Sequence, residues 1–119
     1  MTIPRTPGSA NSPYILEEKI TPRAWLRTSG GASPVTDDSY GVSSITDTGV
    51  GILDVTWQVA FASATSYTIV PITQASDATA DIALLDTDTA TTATVRVVHG
   101  STGAALDPAS GYFIVAMGV

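Results

Sequence analysis

The 119-residue chain contains no cysteine. Disulfides and thiolate metal sites are therefore excluded, and whatever stability the chain has must come from packing or association. Charge is scarce, at 13% of residues, and positive charge scarcer still, with 5 Lys and Arg against 11 Asp and Glu. Phosphate neutralisation needs clustered cations, so nucleic acid is not an expected partner. Apolar runs fall far short of the roughly 20 residues a membrane helix requires, and membrane insertion is not expected either. Nothing behind Met1-Thr2-Ile3-Pro4-Arg5 reads as the apolar core of a signal peptide, which sets the expectation of no export signal of its own. No window carries apolar residues at helical spacing over three turns, so helices are expected to be few or absent.

What the chain does have is hydrophobic content of 44%, with Thr, Ser and Ala in place of the missing charge, in a length that suits one domain. The most informative stretch is Val42 to Asp47, then Thr48-Gly49-Val50-Gly51, then Ile52 to Phe61. In the last of these Leu53, Val55, Trp57, Val59 and Phe61 alternate with Ile52, Asp54, Thr56, Gln58 and Ala60. Period-2 alternation across a glycine turn predicts a hairpin with one buried face. Further strands are expected over Arg23–Thr28, Ser66–Ile72, Asp81–Leu85, Ala90–Val98 and Tyr112–Met117. A polar loop is expected around Pro34, Asp37 and Asp38, and a long turn over Gly100–Ser110. The fold class is all-β: an antiparallel β-sandwich of about six to eight strands, jelly-roll-like or Ig-like, over residues 23–119. Its expected core is Trp25, Leu53, Val55, Trp57, Val59, Phe61, Tyr67, Ile69, Val95 and Val97. The last strand is apolar on both faces, which suits either a central position or cover from a partner chain.

Residues 1–22 differ in kind. Pro4, Pro7, Pro13 and Pro22 with Gly8, Ser9, Asn11 and Ser12 forbid helix. Yet Ile3, Tyr14, Ile15, Leu16 and Ile20 are more apolar than a solvated linker needs. The segment reads as an extended docking arm, with Ile3, Arg5, Tyr14, Ile15 and Leu16 as its contact residues, lying on its own domain or on a neighbouring subunit. Charge is unevenly placed: Arg5, Lys19, Arg23 and Arg27 against Glu17 and Glu18 give +2 up to Thr28, and Arg96 against nine aspartates gives −8 beyond it. A basic arm on an acidic body suggests docking to an acidic protein surface.

Catalytic constellations are thin. The one histidine, His99, sits in a Val-His-Gly turn, and no Gly-x-Ser-x-Gly elbow accompanies it. Asp86-Thr87-Asp88, with Asp77 and Asp81 upstream, is the nearest approach to a calcium loop but lacks the usual ligand number and bend glycine. Glu17-Glu18 and Asp37-Asp38 are sequence neighbours, which point to opposite sides of an extended chain and make no acid/base dyad. Neither an enzyme nor a bound cofactor or metal is expected. Among the aromatics, Tyr40, beside a turn glycine, is the candidate for facing a ligand such as a sugar, while Trp57 belongs to the buried register.

Ala24-Trp25-Leu26, followed by Ser39-Tyr40-Gly41-Val42-Ser43-Ser44-Ile45-Thr46-Asp47-Thr48-Gly49-Val50-Gly51, resembles a domain widespread in tailed-phage virion proteins, often called tail-fibre or phage structural proteins. Ser66-Tyr67-Thr68-Ile69-Val70 and the closing Phe113-Ile114-Val115-Ala116-Met117-Gly118 are similar to strands of that family. The resemblance covers roughly Ala24 to Val70. It departs at Arg27-Thr28-Ser29-Gly30-Gly31, where the family commonly has Asn-Phe-Asn-Gly, and at Gly41, where it has Asn. The resemblance implies a non-enzymatic virion appendage, often homotrimeric, assembled in the host cytoplasm: a short tail fibre, tail tip or head spike that docks on other tail or capsid proteins. A capsid decoration protein and a carbohydrate-binding module for a host-surface glycan are the alternative readings.

Overall fold

The computed structural model describes residues 22–73 and 81–119, which form eight strands and no helix. They are β1 (Pro22–Thr28), β2 (Thr36–Tyr40), β3 (Val42–Gly49), β4 (Ile52–Trp57), β5 (Tyr67–Thr73), β6 (Asp81–Asp88), β7 (Thr92–His99) and β8 (Tyr112–Gly118). Two four-stranded antiparallel sheets face each other, sheet A in the order β2-β1-β8-β5 and sheet B in the order β3-β4-β7-β6. Four strands facing four match the strand count of a jelly roll rather than the four-on-three of a constant-type immunoglobulin domain.

The alternation in sequence becomes the interior. Ala24 and Leu26 of β1, Tyr67 and Ile69 of β5, and Tyr112, Ile114 and Ala116 of β8 face inward from sheet A. Leu53, Val55 and Trp57 of β4 meet them from sheet B, beside Ala93, Val95 and Val97 of β7. Each fully buried Leu, Val or Ile contributes about 1.5–3 kcal/mol relative to exposure. The closing strand β8 is flanked by β1 and β5, so its apolar character is explained first by a central position.

At one end of the core, three aromatic rings lock together. Phe61 and Tyr67 stack at 3.9 Å between centroids, and Trp57 meets them edge-on at 5.7 and 6.0 Å. The Trp57 indole N–H donates to the Tyr67 hydroxyl at 3.2 Å, and that oxygen lies 2.7 and 3.0 Å from the carbonyls of Thr89 and Thr92. A buried aromatic polar tip needs such partners.

Three expectations are corrected. Val59 is 65% exposed, because β4 ends at Trp57 and its pairing with β7 stops at Thr56 and Thr92. Beyond that point the chain bends, the Gln58 N–H bonds the Gly41 carbonyl, and Phe61 alone of the later pair returns to the core. Trp25 is only half-buried and faces outward: Leu26 and Ala24 pair with the inward Ile114 and Ala116, which sends the residue between them to the other face. The stretch around Asp37 and Asp38 is the edge strand β2, paired with β1, rather than a loop. Strand limits differ elsewhere by a few residues, most in β6, which extends to Asp88 through a bulge between Leu85 and Thr87.

Candidate functional site: the outer face of sheet A

Side chains of paired residues in an antiparallel ladder share a face. Across sheet A the register therefore aligns Tyr40, Trp25, Val115 and Val70 in one outward row. Asp38, Arg27, Phe113 and Ile72 form the next row. Met117, half-buried, continues the patch at the β1 entry end, opposite Pro22 and Thr68. Tyr40, Val70, Ile72 and Phe113 are all among the exposed large hydrophobics. The corresponding surface of sheet B is different in chemistry. Two of its rows run Ser44, Thr56, Thr92 and Thr46, Asp54, Thr94, where the Thr94 hydroxyl donates to the Asp54 carboxylate at 2.6 Å, and two more run Ile52, Arg96, Leu84 and Val98, Ile82, with Ile82 and Leu84 exposed. Both sheets thus turn branched aliphatics outward; sheet A adds the aromatics Trp25, Tyr40 and Phe113, and sheet B adds a block of hydroxyls.

One arginine belongs to the apolar face and another lies at the β1 entry beside it. Arg27 stands two residues from Trp25 on β1, on the same side of the strand, while Arg23 lies at the irregularity between Pro22 and Ala24. Arg23 lays its guanidinium over the Phe61 ring at 4.9 Å, and Arg27 is exposed opposite Asp38 and Phe113. The third arginine of the described residues, Arg96, forms an ion pair with Asp86 on sheet B. The positive charge attributed to an arm in the sequence thus divides: Arg23 and Arg27 are part of the domain, and residues 1–21 retain Arg5 and Lys19 against Glu17 and Glu18.

Clefts open at both ends of this face. One, of about 390 Å³, is bounded by Arg27, Ile72, Gly111 and Phe113. The other, of about 290 Å³, lies between Arg23, Tyr40, Gln58, Val59 and Phe61. Tyr40, at 64% exposure, is the rim of the second cleft, with a guanidinium and an amide as neighbours. Gly41 shapes it: its φ of +72° is left-handed, and a Cβ there would fall 2.6 Å from the Arg23 carbonyl.

The remaining sequence candidates are dispersed. His99 ends β7, and its Nδ1 lies 3.0 Å from the Ser101 hydroxyl. Asp86 is engaged by Arg96, and Asp88 lies at the end of edge strand β6. Asp77 lies outside the described residues, as do Ile3, Arg5, Tyr14, Ile15 and Leu16. Among the described residues no three His, Asp or Glu side chains stand together as a metal site would need, and no helix is long and apolar enough to cross a membrane. The apolar rows on sheet A were missed as a site in the sequence because Trp25 was assigned inward; the signal available was the two-sided apolarity of Tyr112–Met117. No protein-family model, curated protein or solved structure matches this chain.

Proposed function

We propose that the protein is a non-enzymatic structural component of a tailed-phage-like particle: a short tail-fibre, tail-tip or head-spike subunit that docks through its N-terminal arm. The observation that carries this reading is the outer face of sheet A, where Trp25, Tyr40, Arg27 and Phe113 share one surface. Trp, Tyr and Arg are the residues that dominate protein–protein interfaces. A surface of this kind suits a subunit that spends its working life covered by other chains. The sequence resemblance through Ser39–Gly51 supplies the particle. Self-association, to a trimer or another closed ring, follows the same logic, with other tail or capsid proteins as the further partners and the virion as the place of action. Capsid decoration is a variant of the same reading.

The test is compositional. Mass spectrometry of purified particles from the source culture is expected to find the chain at a fixed stoichiometry to a portal or major capsid protein; its absence from particles would sink the assignment.

A second reading is favoured by one feature, the cleft at Tyr40. An exposed phenol ring beside a guanidinium and an amide suits the apolar face and hydroxyls of a sugar. Binding on a glycan array that disappears in Tyr40→Ala would move host-glycan recognition to the front; an array without signal removes it.

A further inference from the structure

The three arginines of the described residues are not equivalent. Arg96 is engaged by Asp86, and Arg27 faces Asp38 across the β1–β2 ladder. Arg23 has no carboxylate within ion-pair distance among the described residues. Its partner is the Phe61 ring, 4.9 Å from the guanidinium carbon. Arg23 is half-buried, and the ring beneath it is almost wholly buried. A guanidinium laid on a ring uses its flat side and keeps its fork of N–H donors available. A cation partly withdrawn from water without a counter-charge is unfavourable, and an anion brought to it relieves that cost.

Arg23 forms a wall of the cleft of about 290 Å³, together with Tyr40, Gln58 and Val59. Three stretches of chain meet there, and backbone bonds hold them in place. Tyr40 pairs with Trp25 in the β1–β2 ladder, the Gln58 N–H donates to the Gly41 carbonyl at 2.8 Å, and the Phe61 N–H donates to the Ala90 carbonyl at 2.8 Å. The site is therefore preformed. The Tyr40 ring and the Gln58 side chain are both exposed at its rim.

We propose that this cleft takes an acidic sugar, a uronic or sialic acid residue of a glycan, with its carboxylate on the Arg23 guanidinium. The Tyr40 ring packs on the apolar face of the sugar, and the Gln58 amide bonds its hydroxyls. The inference rests on the glycan reading of this cleft and adds the charge of the ligand. An uncharged sugar would leave the guanidinium unmatched. A peptide carboxylate is disfavoured because extended peptides need open backbone partners, whereas Gly41 and Gln58 bond each other here. The volume also suits about one ring rather than a run of residues. Beyond Thr28 the chain carries Arg96 against nine aspartates, so the preference for an anion must reside in contact with Arg23 itself.

The test titrates the full-length protein with methyl glycosides of glucuronic acid and of N-acetylneuraminic acid, each beside its neutral methyl ester. Calorimetry or NMR shifts at about 0.15 M salt, where charges beyond roughly 8 Å are screened, give the affinities. At least one acid is expected to bind about tenfold or more tightly than its ester, the worth of a charge-assisted hydrogen bond. Arg23→Gln should bring acid and ester to equality. Arg23→Lys keeps a cation but loses the fork, and should retain only part of the preference; it replaces Arg23→Gln if thermal melting shows that variant unfolded. Tyr40→Ala should weaken acid and ester alike and leave their ratio unchanged. Equal binding of acid and ester to the unaltered protein overturns the inference while the glycan reading stands; binding of no sugar removes both. A preference undiminished in the Arg23 variant also overturns it. So does acetate competing as well as the acidic sugar, or an acetylated glutamate peptide binding more tightly, either of which assigns the cleft to a carboxylate without a sugar.

Discussion

Trp57 shows how much one residue can carry here. It fills the end of the core, meets Phe61 and Tyr67 edge-on, and satisfies its indole N–H on the Tyr67 hydroxyl. Trp57→Ala is expected to cost about 3–5 kcal/mol in urea unfolding. Tyr67→Phe keeps the ring stack but leaves the indole donor without its partner, and about 1–3 kcal/mol should be lost. Two tyrosines also set an alkaline limit. Burial, reinforced by the Asp107 and Asp47 carboxylates, pushes the Tyr112 phenol well above the usual tyrosine range. Burial likewise raises Tyr67, opposed by its bond from Trp57 and aided by Asp88. Both phenols therefore hold their protons more tightly folded than unfolded. The stability this represents is fully present below the unfolded phenol pKa near 10 and is lost as pH rises beyond it. Thermal melts from pH 8 upward should be flat to about pH 10 and then fall, with a shallower fall in Tyr112→Phe; an unchanged slope in that variant would contradict the assignment.

At the scale of elements, the turn between β3 and β4 and the sheet edges decide the architecture. Gly51 sits at φ +66°, its N–H bonds the Asp107 carboxylate at 2.7 Å, and a Cβ there would fall 2.4 Å from the Leu106 carbonyl. Left-handed backbone alone costs a substituted residue roughly 1–2 kcal/mol, so Gly51→Ala should cost more than that by the added clash, read as a lowered denaturation midpoint. The aspartates have an element-level role that no metal reading supplies. Asp37 and Asp38 lie on β2, Asp47 on β3, and Asp81, Asp86 and Asp88 on β6, all of them edge strands. The fourth edge, β5, carries Pro71. Charge and proline are the devices that keep open sheet edges from pairing with foreign strands. Asp37→Asn with Asp38→Asn is expected to leave the melting temperature nearly unchanged while raising light scattering on concentration.

For the whole molecule, the asymmetry between the two outer faces matters most. Sheet B presents threonines, a hydrogen-bonded Asp54 and the aliphatics Ile52, Ile82 and Leu84, and sheet A presents Trp25, Tyr40, Phe113 and Arg27. Such a body is expected to be sensitive to salt and to surface substitution in its assembly rather than in its folding. Arg27→Glu, at an exposed position, should leave the unfolding midpoint within about 0.5 kcal/mol while reducing self-association in sedimentation; equal loss of both would make Arg27 a folding residue instead.

How much of this could be read from the residues follows from where the information sits. The hairpin around Gly51, the alternation through Leu53, Val55 and Trp57, and the all-β class were legible, because period-2 burial and turn chemistry are local properties. Val59 was not, since the strand's end depends on where β7 stops offering hydrogen bonds. Nor was β2: Thr36-Asp37-Asp38-Ser39-Tyr40 has no apolar alternation, and only the open edge of β1 makes it a strand. Trp25 marks the division most clearly. The sequence expectation places it in the core, but which of two faces a strand buries is a property of register between strands, settled by Leu26 against Ile114. The order of residues determined that this protein builds pleated sheets around an aromatic core. Long-range pairing alone decided which face of each strand is buried, and so that Trp25 and Tyr40 stand outward on sheet A.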